Sequence, residues 1–335
     1  MATGIVSFNL EDYQSAAIKS RSELLMLPII GSKETLDHMT GRPGVRYKER
    51  VGSASFGAQF APYNASARQN SNLQIIYRDL ETHLGSVVAE FEPNSAISSV
   101  LGQGATKGDG QITTPTAEMV LALMGKSLSY NLNAAIWDAE YDASGTTTKD
   151  LFDGFDTITA KEITAGNISE ANGNLLELEV AITSENAYAI FRQILKKLAP
   201  ELRSRKAYIY CSQDIVDAYN ESYLATHGGV MYNQKFEQVS VEGSNGNLVF
   251  CPLANKADSP YITISTKENM LYGYDTMADE AQILVKEYAP FVLSYVATMF
   301  FGVQFESIDN RVLTIVKLAE PTVEIEPEQD PSNPE

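Results

Sequence analysis

The chain has 335 residues, of which 44% are hydrophobic, and a formal net charge of −18. That hydrophobic content is enough to bury a sizeable core, so the sequence predicts a folded protein of one large domain or two modest ones. The acidic excess disfavours a nucleic-acid-binding face and an anionic membrane surface, because phosphate contacts need clustered Lys and Arg.

The two cysteines and the lack of a membrane signal indicate where the chain is made. Cys211 and Cys251 are far apart in sequence and form neither a disulfide framework nor a C-x-x-C site, so reduced core thiols are predicted. The N-terminus lacks the basic region and apolar run of a secretory signal, and no stretch reaches about 18 uninterrupted apolar residues. We therefore expect synthesis in the cytoplasm and no membrane partner.

The first hundred residues bury little of their own surface, which suggests an arm that depends on a neighbouring subunit. A short helix is predicted over Glu11–Met26, and Pro28 follows it. Residues 41–50 are locally basic in an acidic chain, so they are expected either to meet an acidic face of a neighbour or to form a solvated loop. The basic residues are Arg42, Arg46, Lys48 and Arg50.

Next along the chain, residues 73–91 alternate between apolar and polar side chains. This period of two predicts a long two-stranded excursion. Because an isolated hairpin is marginal in water, we expect the excursion to lie on another surface. Leu73, Ile75 and Tyr77 are the apolar candidates for that contact between subunits.

Helical signals are clearest in the middle of the chain. Thr114 followed by Pro115 predicts the start of an amphipathic helix that ends at Asp138, about 35 Å long and suited to a structural spine. A second helix is capped by Ser184 and stops before Pro200. The strand Lys206–Cys211 and a third helix from Ser212 through Tyr223 then complete the core of an α/β lobe.

Beyond Gly229 the chain is dominated by β-branched and aromatic runs between turn residues. These runs predict strands at Phe236–Val241, Asn247–Cys251, Tyr261–Ser265, Met270–Tyr274, Ala281–Tyr288, Thr298–Phe305 and Arg311–Lys317. From Glu320 onward acidic residues alternate with proline and no basic residue is present. This composition predicts an acidic disordered tail over residues 319–335.

No constellation of catalytic residues is evident in the sequence. The three histidines fall in different regions without the spacing of a helical zinc pair, and no nucleophile motif occurs. Asp275, Asp279 and Glu280 are expected in an exposed loop, where they are either solvated or bind a cation. We predict no cofactor, no catalytic residue and a structural role.

The order of these parts resembles that of the tailed-phage major capsid proteins of the Hong Kong 97 fold. The most specific stretch is Lys206–Phe305, which includes the runs Asn269–Gly273 and Phe300–Phe305 and looks like capsid proteins from phages of Bacteroides-type bacteria. The resemblance implies an α+β fold with an N-terminal arm, an extended β-hairpin loop, a peripheral domain with a long spine helix, and an α/β axial domain. The implied boundaries are 1–50 for the arm, 51–92 for the extended loop, 93–150 for the peripheral domain, 151–285 for the axial domain, 286–318 for the return to the peripheral domain and 319–335 for the tail.

The same resemblance implies a major capsid protein that self-assembles into the icosahedral shell enclosing phage double-stranded DNA. Its partners would be copies of itself in hexameric and pentameric capsomers, with scaffold, portal or decoration proteins beside them and packaged DNA as loosely held content. It would be assembled in the host cytoplasm and reside in the virion. Two alternatives stay open: an encapsulin-type nanocompartment shell, and an α+β enzyme with a dispersed active site, which a deep pocket with converging polar groups would indicate.

Overall fold

The computed structural model describes residues 14, 17, 32–56, 73–92, 115–228, 239–275, 283–289 and 292–319. The helices are α1 Lys33–Leu36, α2 Pro115–Asp138, α3 Phe155–Thr164, α4 Ala187–Lys197, α5 Pro200–Ser204 and α6 Gln213–His227. The strands are β1 Thr40–Pro43, β2 Lys48–Phe56, β3 Leu73–Glu81, β4 His83–Phe91, β5 Leu175–Glu177, β6 Ala207–Cys211, β7 Leu248–Pro252, β8 Tyr261–Ser265, β9 Met270–Asp275, β10 Ile283–Ala289, β11 Val292–Phe305 and β12 Leu313–Lys317.

The first sheet is organised around β11, a strand of 14 residues. One edge of β11 pairs with β4 over nine residues, and the other edge pairs with β10 in its first half and β9 in its second half. β1 then adds to β9 in parallel. Aromatic and β-branched residues dominate β11, and this composition suits a central strand with neighbours on both edges.

The second sheet has the order β5-β12-β8-β6-β7 and belongs to the α/β lobe. Helices α4 and α6 cover one of its faces through a buried cluster that includes Phe191, Tyr219 and Phe250. The other face joins β11 and the end of α2 in a larger core around Trp137 and Phe305. The two sheets therefore share one continuous hydrophobic core.

Strands β2 and β3 pair with each other in an antiparallel register that runs from Lys48 opposite Glu81 to Phe56 opposite Leu73. We call this pair the ribbon. A single residue, Thr82, separates β3 from β4, and its N–H and hydroxyl bind the carbonyls of Tyr47 and Val45. A Cβ on Gly302 of β11 would collide with the carbonyl of Glu81, so only glycine fits beneath this crossing.

The predicted pairing of residues 73–91 as one two-stranded excursion is wrong. β3 pairs with β2, whereas β4 pairs with β11 in the first sheet. The alternation was read correctly as strands, but alternation does not identify a partner. The ribbon therefore begins at Lys48, three residues before the expected start of the extended loop at Val51, and β4 belongs to the body of the protein.

The end of the chain differs in a similar way from the expected return to the first sheet. β10 and β11 do lie there, but β12 pairs with β5 and β8 in the second sheet. β9, which the expected boundaries assign to the α/β lobe, pairs with β1 and β11 instead. The chain thus passes between the two sheets more often than the expected boundaries 151–285 and 286–318 imply.

The helices follow the sequence signals closely. α2 begins at Pro115 and ends at Asp138 as predicted, and Leu121, Leu132 and Ile136 are buried along its apolar stripe. α6 continues to His227, four residues beyond the predicted end, until Gly228 adopts the left-handed conformation that stops it (φ 65°). α3 was not predicted, because residues 155–164 carry a weak apolar pattern.

Three further predictions fall wholly or partly outside the described residues. The helix at Glu11–Met26 is represented only by residues 14 and 17, both helical. The strand at Phe236–Val241 is described from Val239 onward, where Ser240 makes one isolated bridge to Val249 and no regular strand forms. The tail from residue 320 lies outside the described residues.

Candidate subunit interface

The ribbon exposes apolar side chains on both of its faces. Ile75 and Tyr77 lie on one face and are 41% and 57% exposed, while Ile76 lies on the opposite face and is 57% exposed. A strand packed on its own subunit would bury one of these faces. Three large apolar side chains in succession therefore form an exposed apolar surface, which is typical of a protein–protein contact. The side chain of Leu73 is outside the described residues.

The base of the ribbon is held firmly to the body. Val51 and Leu80 are buried with Val45 and Leu271 in a small hydrophobic cluster. Arg78 donates hydrogen bonds to Glu162 of α3 at 2.6 Å and to Gln304 of β11 at 3.0 Å. The ribbon is thus anchored at one end, and its exposed residues lie beyond that anchor.

The four basic residues predicted as contacts with a neighbour lie at this base. Lys48 Nζ is 2.9 Å from both Asp79 and Glu81, and Arg50 also contacts Asp79. The hydrogen bond from Lys48 lowers the pKa of Asp79, and the same bond raises the pKa of Lys48. Lys48 and Arg50 therefore meet acidic residues of their own chain.

The other two basic residues flank the turn before β2. Arg46 forms an ion pair with Asp275, which is buried at the end of β9. The expectation that Asp275 lies in an exposed loop is therefore wrong, and Asp279 and Glu280 lie outside the described residues. Arg42 differs from the other three, because its Nε is buried without a hydrogen-bond partner among the described side chains.

A broad groove lies between α2 and the first sheet. It has a volume of about 1220 Å³, and residues 141–143 and 145–151 of the loop after α2 also line it. Its apolar lining comes from Leu84 and Val87 of β4, Leu128 and Leu132 of α2, and Tyr295, Ala297 and Met299 of β11. No described strand pairs with the outer edge of β4. The groove therefore offers an apolar floor beside a free strand edge.

A smaller cavity of about 510 Å³ at the base of the ribbon collects polar groups, the feature expected of the enzyme alternative. These groups bind one another: Arg78 bonds to Glu162 and Gln304, Asn167 donates to Glu162 at 2.7 Å, and Gln304 donates to the Asp79 carbonyl at 3.1 Å. This network holds the ribbon to α3 and β11. It presents no pair of nucleophile and base.

One buried ion pair in the core was not found from the sequence. Lys256 Nζ is fully buried and donates to Asp156 at 3.0 Å, Ser259 Oγ at 2.9 Å and the Tyr261 carbonyl at 2.7 Å. It also lies 4.1 Å from the centre of the Trp137 ring. Burial lowers the pKa of Lys256 although Asp156 opposes that shift. All three donor positions are used, so the cluster ties α3 to the turn before β8.

The three histidines have different ring partners in the structure. His83 stacks on Tyr141 with ring centres 3.8 Å apart, and burial lowers the pKa of His38. Within the described ranges, no three His, Cys, Asp or Glu side chains meet in a way that could hold a metal ion. None of the helices in the described part of the chain is long and apolar enough to cross a bilayer.

Both thiols are expected to resist alkylation in the folded protein. Cys211 and Cys251 are buried, and burial raises the pKa of each to about 12. Iodoacetamide at pH 8 should therefore modify neither thiol until urea unfolds the chain, after which it should modify both. The raised pKa values also predict that stability falls as pH rises from about 9 towards 12, because only the unfolded state loses these protons. Rapid modification of the folded chain would contradict this burial.

The fold can now be compared with those of known proteins. No family model matches the chain, and no curated protein matches it in sequence. Among solved structures, a chain of the satellite phage P4 procapsid including its size determination (Sid) protein matches with a TM-score of 0.59 and 12% identity, over 88% of this chain and 90% of that one. A chain of the cyanophage A-1(L) capsid matches at 0.53 and 12% identity, over 88% and 92%. The capsid of the empty GTA particle matches at 0.52 and 12% identity, over 86% and 90%. The chain therefore has the mixed α+β fold found in phage-type capsids.

Proposed function

We propose that this chain is the major capsid protein of a tailed phage, which self-assembles into an icosahedral shell around double-stranded DNA. The observation that carries the proposal is the ribbon, which is anchored at its base and exposes Ile75, Ile76 and Tyr77 on two faces. A subunit that leaves such a surface uncovered is incomplete by itself. In a shell built from this fold, neighbouring copies of the chain would cover the exposed surface of the ribbon.

The groove between α2 and β4 is the proposed receptor for the ribbon of the next copy. A strand of nine residues is about 30 Å long and α2 of 24 residues is about 36 Å long, so the two surfaces match in length. Val87, on the face of β4 that packs towards α2, would meet Ile75 and Tyr77 across an apolar contact of the kind found in obligate interfaces. The predicted contact residues Leu73, Ile75 and Tyr77 keep their role in this proposal.

The basic residues have a smaller role than the sequence suggested. Arg46, Lys48 and Arg50 each have a carboxylate within the same subunit. Arg42 has no such partner among the described side chains and stays the basic candidate for a contact between copies.

The finer parts of the proposal follow the resemblance. Residues before β2 would form the arm, and the ribbon would be the extended loop. The peripheral domain would consist of α2 and the first sheet. The second sheet, with α4 and α6, would form the axial domain around a capsomer axis. We also propose that the copies form hexameric and pentameric capsomers and that a scaffold, portal or decoration protein is a further partner. The proposed source is a phage or prophage of Bacteroides-type bacteria. The resemblance of Lys206–Phe305 supports that source.

Assembly of the purified protein tests the proposal. We expect rings, sheets or closed particles in negative-stain images and a fast-sedimenting species, either from the protein alone or with its scaffold. A strictly monomeric protein under all assembly conditions would contradict a shell function. Genes for terminase, portal and protease beside its gene would favour the phage shell, whereas a peroxidase or ferritin-like gene would favour the encapsulin alternative.

A further inference from the structure

A surface of unusual charge lies on the α/β lobe. Five exposed cations lie close together in sequence, at the end of α4, on and after α5 and just before β6. We call these residues the basic surface: Lys196, Lys197, Arg203, Arg205 and Lys206. One carboxylate, Glu201, falls in the same stretch of sequence. The chain as a whole carries 25 cations and 43 carboxylates, so this local excess of cations is opposite in sign to the net charge of the chain.

The basic surface lacks acidic partners of the kind that several other surface cations have. Lys161, Arg311 and Lys317 each lie within ion-pair distance of a carboxylate. None of the five cations of the basic surface forms an ion pair with any described residue; Lys206 instead lies over the ring of Tyr208. Like charges held close together raise the energy of the folded chain, so an anionic group placed on this surface would be stabilised.

The chain itself carries a matching anionic segment. Residues 320–335 contain no cation and carry the carboxylates Glu320, Glu324, Glu326, Glu328, Asp330 and Glu335. The segment follows Leu318, whose N–H binds the Pro260 carbonyl at 2.9 Å. Leu318 also packs against the buried cluster under α4 and α6, to which Phe191 and Ile194 belong. The last described residues before the acidic segment therefore lie on the face of the second sheet that α4 and α6 cover.

The length of the segment is sufficient for contact. At about 3.3 Å per residue, Glu324 reaches about 20 Å and Asp330 about 40 Å from Leu318. α4 has 11 residues and is about 16 Å long. The carboxylates between these two positions can therefore reach both the end of α4 and α5 without rearrangement of the body.

We propose that the acidic segment 320–335 docks on the basic surface of its own chain and neutralises it. Tethering gives the segment an effective concentration in the millimolar range, which favours it over a free anion. Double-stranded DNA is the competing polyanion, but the net charge of −18 repels it at long range. The inference concerns a contact within one chain and does not depend on shell assembly.

The contact can be measured with a dye attached near the end of the segment. Because Cys211 and Cys251 are buried, a cysteine introduced by Ser332→Cys in the full chain can be labelled selectively. We expect a high fluorescence anisotropy for the dye at low salt. Anisotropy should fall at about 0.5 M NaCl, where the Debye length is about 4 Å, and in the variant Lys196→Gln/Lys197→Gln at low salt.

A matched control removes the same charge elsewhere. Lys126 and Lys286 are exposed and lie outside the basic surface, so Lys126→Gln/Lys286→Gln should leave the anisotropy unchanged. An equal fall in both variants, or no fall in either, would overturn the proposal. So would a fall on dilution, which would place the contact between copies. A labelled DNA duplex that binds the full chain and loses binding in Lys196→Gln/Lys197→Gln would assign the surface to nucleic acid instead.

Discussion

Replacing both Ile75 and Tyr77 with Asp is expected to abolish the formation of closed particles while the subunit stays folded. Ile75 and Tyr77 are 41% and 57% exposed in the single chain and belong to none of the buried clusters of its described residues, so their loss removes little of its own core. In an assembled shell the new carboxylates would have to enter an apolar interface without partners, which costs several kcal/mol at each copy. Sedimentation velocity and negative-stain images measure assembly, and urea unfolding with circular dichroism measures the fold.

The conservative variant Ile75→Val/Tyr77→Phe serves as the matched control. It keeps the apolar character and nearly the same volume, so particles should form. If the Asp variant assembles as well as the unaltered chain, the ribbon does not form the contact. If its urea midpoint falls sharply instead, the two side chains stabilise their own subunit, and the proposed role in assembly is lost.

Substitution of Asp156 by Ala should destabilise the subunit by about 3–5 kcal/mol, because it leaves the buried ammonium of Lys256 without a counter-charge. Lys256 is fully buried and fixes the position of Ser259 and the Tyr261 carbonyl as well as Asp156. Water cannot replace the carboxylate without entering the core. Urea unfolding of the unassembled subunit, monitored by circular dichroism, measures the change in the free energy of unfolding.

Two comparisons separate the ion pair from general packing. The double variant Asp156→Leu/Lys256→Met removes both charges and should recover most of the lost stability, since an apolar pair of similar volume often replaces a buried ion pair. The exposed pair of Lys161 and Asp153, also contributed by α3 and the residues before it, provides the surface control. Lys161→Ala should cost less than about 1 kcal/mol. Equal effects of Asp156→Ala and Lys161→Ala would contradict the buried cluster.

Much of the local structure follows from the sequence because the signals are local. The Thr114-Pro115 start, the apolar stripe of α2 and the proline after α4 each act within a few residues. Strand pairing was harder to predict. β3 and β4 have the same alternation, yet one lies in the ribbon and the other in the first sheet. The partner of a strand depends on residues far away in sequence, here β11.

The features on which the proposed contact rests could be read from the sequence only in part, for the same reason. The alternation indicates that Ile75 and Tyr77 share one face. The exposure of Ile76 on the opposite face could not be predicted, because it depends on the position of the ribbon relative to the body of the subunit. Arg46 and Asp275 are 229 residues apart, and Lys256 and Asp156 are 100 residues apart. Nothing in the composition around these residues distinguishes them from solvated charges, so burial had to be seen in three dimensions.

The single residue between β3 and β4 has a mechanical consequence. A pull that a neighbouring copy exerted on β3 would pass through Thr82 directly into β4. Because β4 pairs with β11 over nine residues in antiparallel register, such a tension loads these hydrogen bonds together in shear and does not open them one by one. The ribbon is thus coupled to the longest strand of the first sheet, and strain at a contact between copies would be transmitted to the centre of that sheet.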